Sequence, residues 1–467
     1  MDCEQTFFHR SVAQHWAQMH QSDGCLQIVK PKEADMFSMK KRLFTIASIA
    51  TFGILLGGCA ATAPDDGTIS IWVDAARVPA VDALQAKYPD MKLEVNTISN
   101  TGGSSGLKQQ FTLFNQSGEG WPDVIFFGAL DDIAWAASDP VDYAMDVSSV
   151  MSSDYWDGYS DAAIAPCILD GATVCVRNDQ AQDVLWYNKT MFDQWGYTPP
   201  TTWEEYESLS LDIADNHPGY FTGLVGDALT TARYLWPSEC PTNVRVDAET
   251  VKIDLEDSSC TRVKDMLNTL VEAGVVSAGG AFDSEVADKV GPNLVMTPGA
   301  TWFGNYLFRD TFKVPAGQIS ASLPLAWEGE QPSTGNEGGG LWVASKHVAD
   351  SKLGDVETIL EFMTTDSSWQ VELSTGFPAH GSVQDAWLAK QAADGYFADP
   401  DTVSEVFLEA GAMVAPYSLL NYNTGDVYTR TVAAKLASGG TFAEGWEDFA
   451  SELPKEAKTF GYTVATK

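Results

Sequence analysis

Between Thr68 and Gly128 the chain switches repeatedly between strand-like and helix-like hydrophobic periods, and this restricts its fold more than any other feature. TISIWV reads as a strand. Val78–Tyr88 reads as a helix opened by Pro79, whose fixed φ suits the first turn. KLEVNTI alternates as a second strand, GGSSG punctuates, LKQQFTLFNQ is helical, and DVIFFG is a continuous apolar strand. Strands that alternate with helices predict a parallel, helix-covered sheet.

A second series begins at DVLWYNK. It runs through the helix WEEYESLSLDIADN, the strand GYFTGLVG and a helix over 259–273. Then come the sheet-like ISASLPL, the glycine-rich GNEGGG, and helices predicted over 355–364, 366–375 and 403–412. The C-terminal part is helical over 429–437 and from Phe442 onward, with a break predicted at Pro454. With 467 residues and 45% apolar content the chain can bury two such units, so the fold class is α/β in two lobes.

Ahead of these units lies a run of another kind. Lys40, Lys41 and Arg42 precede an apolar stretch over 43–56, too short for a comfortable membrane span, which ends in Leu56-Gly57-Gly58-Cys59. The pattern is that of an export signal over 36–58. Leu-Gly-Gly-Cys resembles the lipobox of bacterial lipoproteins, which implies that Cys59 becomes the first mature residue and carries a diacylglyceryl group, two acyl chains being enough for stable anchoring. An ordinary signal peptide with a chance cysteine is the alternative. Residues 59–66 would be a tether. Residues 1–35 have no signal character. Lys32-Glu33 can be encoded by a ribosome-binding sequence just upstream of Met36, so this stretch is expected to be an upstream extension.

Loss of residues 1–58 removes six of the 28 basic and five of the 64 acidic side chains, leaving 22 against 59. A surface so acidic repels nucleic acid and anionic lipid, so neither is an expected partner and membrane contact is expected through the lipid alone. Four cysteines remain after Cys59: Cys167, Cys175, Cys240 and Cys260. An even number in an exported chain suggests disulfides. Of the three connectivities, sequence proximity favours Cys167–Cys175 and Cys240–Cys260, the first pair around the hairpin signal Asp170-Gly171. A metal site is the rival reading, weakened by the lack of CxxC spacing and by only His217, His347 and His380 persisting beyond the leader. No metal, cofactor or catalytic group is expected, since no nucleophile elbow, phosphate-cradling loop or metal constellation stands out.

Several segments resemble the solute-binding proteins of ABC sugar importers, specifically the maltose-type carbohydrate-binding family. They are ISIWVD, WPDVIFFG, VLWYNKTMFDQWGYTPPTTWEEYESL, MTPGATWFGNY, GGGLWVAS and ASGGTFAEGWEDF. The resemblance implies a hinged clamp that binds an oligosaccharide and delivers it to ABC permease subunits. One lobe is expected from 67–178 plus 341–375, the other from 183–333 plus 383–467, each a mainly parallel sheet, in a monomeric protein. An exported glycoside hydrolase and a surface adhesin are the alternatives; 59 acidic residues always allow an imagined catalytic pair, so counting decides nothing.

Open α/β sheets bind ligands at the carboxyl ends of their strands, which selects the candidate ligand residues. Trp72 and Asp74 end the first strand, and Arg77 precedes the helix; Asp and Arg can accept from and donate to neighbouring sugar hydroxyls. Phe127, Gly128, Asp131 and Asp132 follow VIFFG, although the two aspartates could instead cap the next helix. Arg233, Tyr234 and Trp236 follow a strand in the second unit. Trp302, after MTPGAT, is where the family commonly stacks a sugar; Phe303 and Tyr306 either extend the platform or belong to the core. Gly339 and Gly340 lie in the glycine-rich loop, which allows close approach to a ligand or is simply a flexible loop, and Trp342 could flank the cleft or fill the core. Asn423 precedes a late helix that the resemblance turns toward the site, though this chain lacks the aromatic found at that helix start in relatives. Trp186-Tyr187-Asn188 reads as structural. Trp327 and Glu328 lie beside a hinge-like loop.

Overall fold

The computed structural model describes residues 66–98, 105–139, 141–415 and 422–465. Cys59, the export signal and nearly all of the tether lie outside these residues.

β1 (Ile69–Val73) alternates: Ile69, Ile71 and Val73 are fully buried on one face, while Ser70 and Trp72 turn to the other. It runs parallel to β2 (Leu93–Thr97) and β3 (Val124–Phe127), with the helices Val78–Lys87 and Ser105–Ser117 as crossovers. All four β3 side chains are buried, as expected of a parallel strand covered on both faces. A small hairpin follows, β4 (Ile168–Leu169) against β5 (Ala172–Thr173), and then β6 (Val176–Arg177). Asp170 (φ 51°) and Gly171 (φ 85°) form its two-residue loop in the left-handed conformation that primed hairpin turns require, and Cys167–Cys175 bridges its base. Cys240–Cys260 is the second disulfide, so both favoured pairings form.

The chain crosses through β7 (Asp179–Gln180) into β8 (Asp183–Asn188). Asn188 caps the next helix by accepting from Met191 N (3.1 Å), and Thr202 caps Trp203–Asn216 in the same way. β9 (Gly223–Leu224) follows, then β10 (Val244–Arg245), β11 (Thr250–Lys252), the helix Ser258–Glu272, β12 (Val276–Ser277), β13 (Met296–Ala300) and β14 (Ile319–Ser322). β9 is parallel to β12 and joins β13 through the parallel bridge of Phe221 and Leu294; β8 lies antiparallel between β13 and β14. A second crossing over 334–340 returns the chain to β15 (Leu341–Ala344), antiparallel to β3 and β6. A third passes through β16 (Phe377–Pro378), which pairs with β7, and the chain ends in β17 (Thr463–Ala465), parallel to β11.

The two sheets therefore have the same order, β2-β1-β3-β15-β6 and β12-β9-β13-β8-β14. In each, the parallel strands are closed off by the strand that has just crossed from the other half. That strand arrives from the opposite end, so it must run antiparallel. The hydrophobic cores divide the same way. Two draw on residues from 69 to 176 and again from 341 to 379; the other two draw on residues from 181 to 457 outside that second stretch, apart from Phe377.

Two predicted helices differ. Only Ser367–Gln370 is helical within 366–375, started by Asp366 accepting from Ser368 N. Pro454 does not break its helix, which runs over Phe442–Thr459. Phe442, Trp446, Phe449, Leu453 and Ala457 form one unbroken buried stripe, and that packing outweighs the hydrogen bond the proline removes.

Candidate functional site

β1 ends by presenting Asp74, which binds Arg77 twice: the Arg77 backbone N–H donates to Oδ1 (3.0 Å) and Nη1 to Oδ2 (3.2 Å). The guanidinium lies over the Phe126 ring at 4.2 Å, a cation–π contact that fixes its plane. Both side chains keep partial access to solvent, so the ion pair presents spare donors and acceptors at the strand end. Trp72, half-buried, packs edge-on against Phe114.

Across the crossing, Trp302 follows β13 and is half-buried. Its Nε1 donates to the Glu337 carbonyl (3.1 Å), and its ring stacks near-parallel on Phe282 (centroids 6.0 Å, 20°). Tyr306 stands at 6.3 Å and bonds Thr375 through its hydroxyl (2.6 Å). Phe282 and Tyr306 are 51% and 43% exposed, so three aromatic rings form a surface open to a ligand.

One strand of backbone joins the two groups. The Glu337 carbonyl holds Trp302, while three residues on, a Cβ at Gly340 would stand 2.1 Å from the Phe126 ring that carries Arg77.

Behind this surface lies a buried charge cluster. Arg233 donates to Glu337 through Nε (2.8 Å) and Nη2 (3.4 Å), to the Leu224 carbonyl (2.8 Å), and faces Asp227 at 3.6 Å. Burial alone would lower the Arg233 guanidinium, but Glu337 and Asp227 outweigh it and keep it charged. Burial pushes Glu337 up to about 7 against the pull of Arg233. Asp183 is buried beside it and pushed well above the carboxylate range by burial and by the Glu337 charge. Burial of two carboxyls beside a single buried cation favours a proton on one of them.

The remaining predicted positions fall in two groups. Gly128, Gly339 and Asn423 are half-buried; Asn423 accepts from Asp426 N and so caps its helix. Phe127, Asp131, Asp132, Arg233, Tyr234, Trp236, Phe303, Gly340 and Trp342 are buried. Phe127 pairs with Leu341 in the first sheet, and Trp342 donates to Asn178 Oδ1 (3.0 Å). Tyr234 meets the Tyr206 hydroxyl at 3.3 Å, and Phe303 lies under Arg233. Asp131 and Asp132 open a short helix without capping it; Asp132 instead faces Lys108 at 3.9 Å. The positive φ of Gly339 and the bare Cα of Gly340 serve close packing of the crossings: Gly340 N donates to Asp179 Oδ1 (2.9 Å), and a Cβ on Gly339 would stand 2.4 Å from the Asp179 carbonyl. Trp186 and Trp327 are buried, with Trp327 Nε1 donating to Ser238. Sequence reasoning passed over Phe282, Glu337 and Asp183. Phe282 sits in no periodic segment, and the two carboxyls become remarkable only when buried together.

Among the described residues no helix is long and apolar enough to cross a membrane, and no three His, Cys, Asp or Glu side chains are grouped to hold a metal. The fold and the surface over the crossings define a two-lobed binding protein. Residues 70–368 match the model of the bacterial extracellular solute-binding protein family, and the chain belongs to that family. Its fold is similar to that of the galacto-N-biose-/lacto-N-biose I-binding protein of an ABC transporter from Bifidobacterium longum, solved with lacto-N-biose (17% identity, 86% of this chain and 100% of that one, TM-score 0.66). It is also similar to an ABC transporter associated binding protein from B. animalis subsp. lactis solved with β-1,6-galactobiose (18%, 86% and 100%, 0.63). A third similar structure is a cyclic α-maltosyl-1,6-maltose binding protein from Arthrobacter globiformis (15%, 84% and 99%, 0.64).

Proposed function

We propose that this protein is a lipid-anchored extracytoplasmic receptor that captures an oligosaccharide and hands it to an ABC importer. The observation that carries this reading is the pairing, across one crossing segment, of an open aromatic surface (Phe282, Trp302, Tyr306) with a solvent-accessible Asp74–Arg77 pair. An aromatic face covers the C–H face of a pyranose, while the ion pair meets its hydroxyls. The sugars bound by the three similar proteins agree with this chemistry. The lobes would be 67–178 with 341–375 and 183–333 with 383–467, in keeping with the division of the cores. Residues 179–182, 334–340 and 376–382 would then be the hinge. Closure about that hinge is the difference a permease can read.

Calorimetry of the mature protein against neutral di- and oligosaccharides tests the proposal. Binding with thermal stabilisation and no change in the sugar is expected. Catalytic turnover, or no binding across the panel, would overturn it.

A further inference from the structure

The tip of the β4–β5 hairpin touches the other half of the molecule. Arg245 Nη2, on β10, lies 2.8 Å from Asp170 Oδ2 and 3.0 Å from Oδ1, across 75 residues of sequence. β10 belongs to the β10-β11-β17 sheet, whose Val251 sits in a core of the second half. The hairpin is built to be stiff. Besides the disulfide at its base, Thr173 N donates to Asp146 Oδ1 (3.2 Å) and Val147 N to the Thr173 carbonyl (2.8 Å), which ties β5 to the first half. A second cation reaches across in the opposite direction, toward aromatic rings. Lys108, on the helix Ser105–Ser117, stands 5.3 Å from the Trp135 ring of its own half and 5.6 Å from Phe460, which stacks on Tyr422 (5.7 Å, 15°). None of these residues belongs to the three crossings.

We propose that Asp170 and Arg245 form a latch that favours lobe closure, so that the sugar-free clamp is already biased toward its closed form. This rests on the two-lobed clamp reading above. The Asp170 side chain is 67% exposed and that of Arg245 20%, so the latch is weak and screened by salt. Weakness suits the role: a strong latch would trap sugar, whereas a weak one adjusts the fraction of binding-competent protein and with it the apparent affinity.

The test is the distance distribution between spin labels on Glu94→Cys and Glu272→Cys, both exposed and one in each proposed lobe, recorded without sugar. Asp170→Asn keeps a residue suited to the left-handed turn and removes only the charge. It should shift the open-to-closed ratio about 2- to 5-fold toward open. Arg245→Glu should shift it further, by repulsion, and should add nothing of that repulsion in the Asp170→Asn background. Raising salt should narrow the difference between the wild type and Asp170→Asn. Identical distributions in wild type and Asp170→Asn would overturn the latch, as would an Arg245→Glu effect independent of residue 170. Because no sugar is present, failure of the sugar assignment would leave these outcomes intact.

Discussion

Arg233 Nε lies 2.8 Å from Glu337 Oε1, and neither side chain reaches solvent. Arg233 also holds the Leu224 carbonyl at the end of β9, so the pair fastens the second crossing to the second sheet. Breaking a buried pair by removing one partner costs up to about 3–5 kcal/mol, but Asp227 stays 3.6 Å from Arg233 and the buried Asp183 can ionise in place of Glu337. Glu337→Gln is therefore expected to lower stability by about 1–3 kcal/mol, read from the midpoint of chemical denaturation. An unchanged midpoint would show that the pair adds nothing to stability.

The Asp183–Glu337 pair makes stability depend on pH. Both carboxyls are raised in the folded state, Glu337 to about 7, whereas in the unfolded chain they ionise near the ordinary carboxylate values. The folded state thus binds more protons between those limits, and stability from this pair falls as pH rises from about 4.5 through about 7. Asp183→Asn removes the shared proton and supplies a permanent N–H donor. Melting temperature measured from mildly acidic to alkaline pH should be flatter in this variant, with its advantage greatest at high pH. An unchanged profile would place the titration elsewhere.

Trp302 should dominate sugar affinity. Trp302→Ala loses the stacking face and is expected to weaken binding about 10-fold or more, equivalent to about 1.4 kcal/mol. Phe282→Ala, which removes the support of that ring, should cost less, and Trp302→Phe should retain part of the affinity. Calorimetric affinities equal to wild type in Trp302→Ala would remove this tryptophan from the site.

The proposed lipid anchor assigns attachment to Cys59 and recognition to other residues. Cys59→Ala, expressed in the native cell, should release the protein from membranes with sugar affinity unchanged. Retention of a correctly processed variant in the membrane fraction would mean that the Leu-Gly-Gly-Cys stretch is misread.

Local patterning decided much that is visible in the fold. Local pattern gave β1 one fully buried face, Pro79 marked a helix start, and Asp170-Gly171 set the hairpin around which Cys167 and Cys175 pair. These features follow from residues a few positions apart, whose φ, hydrogen bonds or hydrophobic period act on the nearest backbone. Sequence also placed Asp74, Arg77, Trp302 and Tyr306 where side chains retain access to solvent.

What only the tertiary structure decided involves partners far apart in the chain. Phe127, Tyr234, Phe303 and Trp342 read as site residues because aromatics near strand ends look alike whether they face a ligand or a core; strand pairing and helix packing turned them inward. Pro454 lost its power to stop a helix to a buried stripe running on either side of it. Arg233, Glu337 and Asp183 acquired their coupled protonation only by being desolvated together, and Asp170 met Arg245 only when two halves folded against each other. Hydrophobic period is carried by neighbours in sequence, but desolvation and charge pairing depend on distance in space, which no local stretch of sequence encodes.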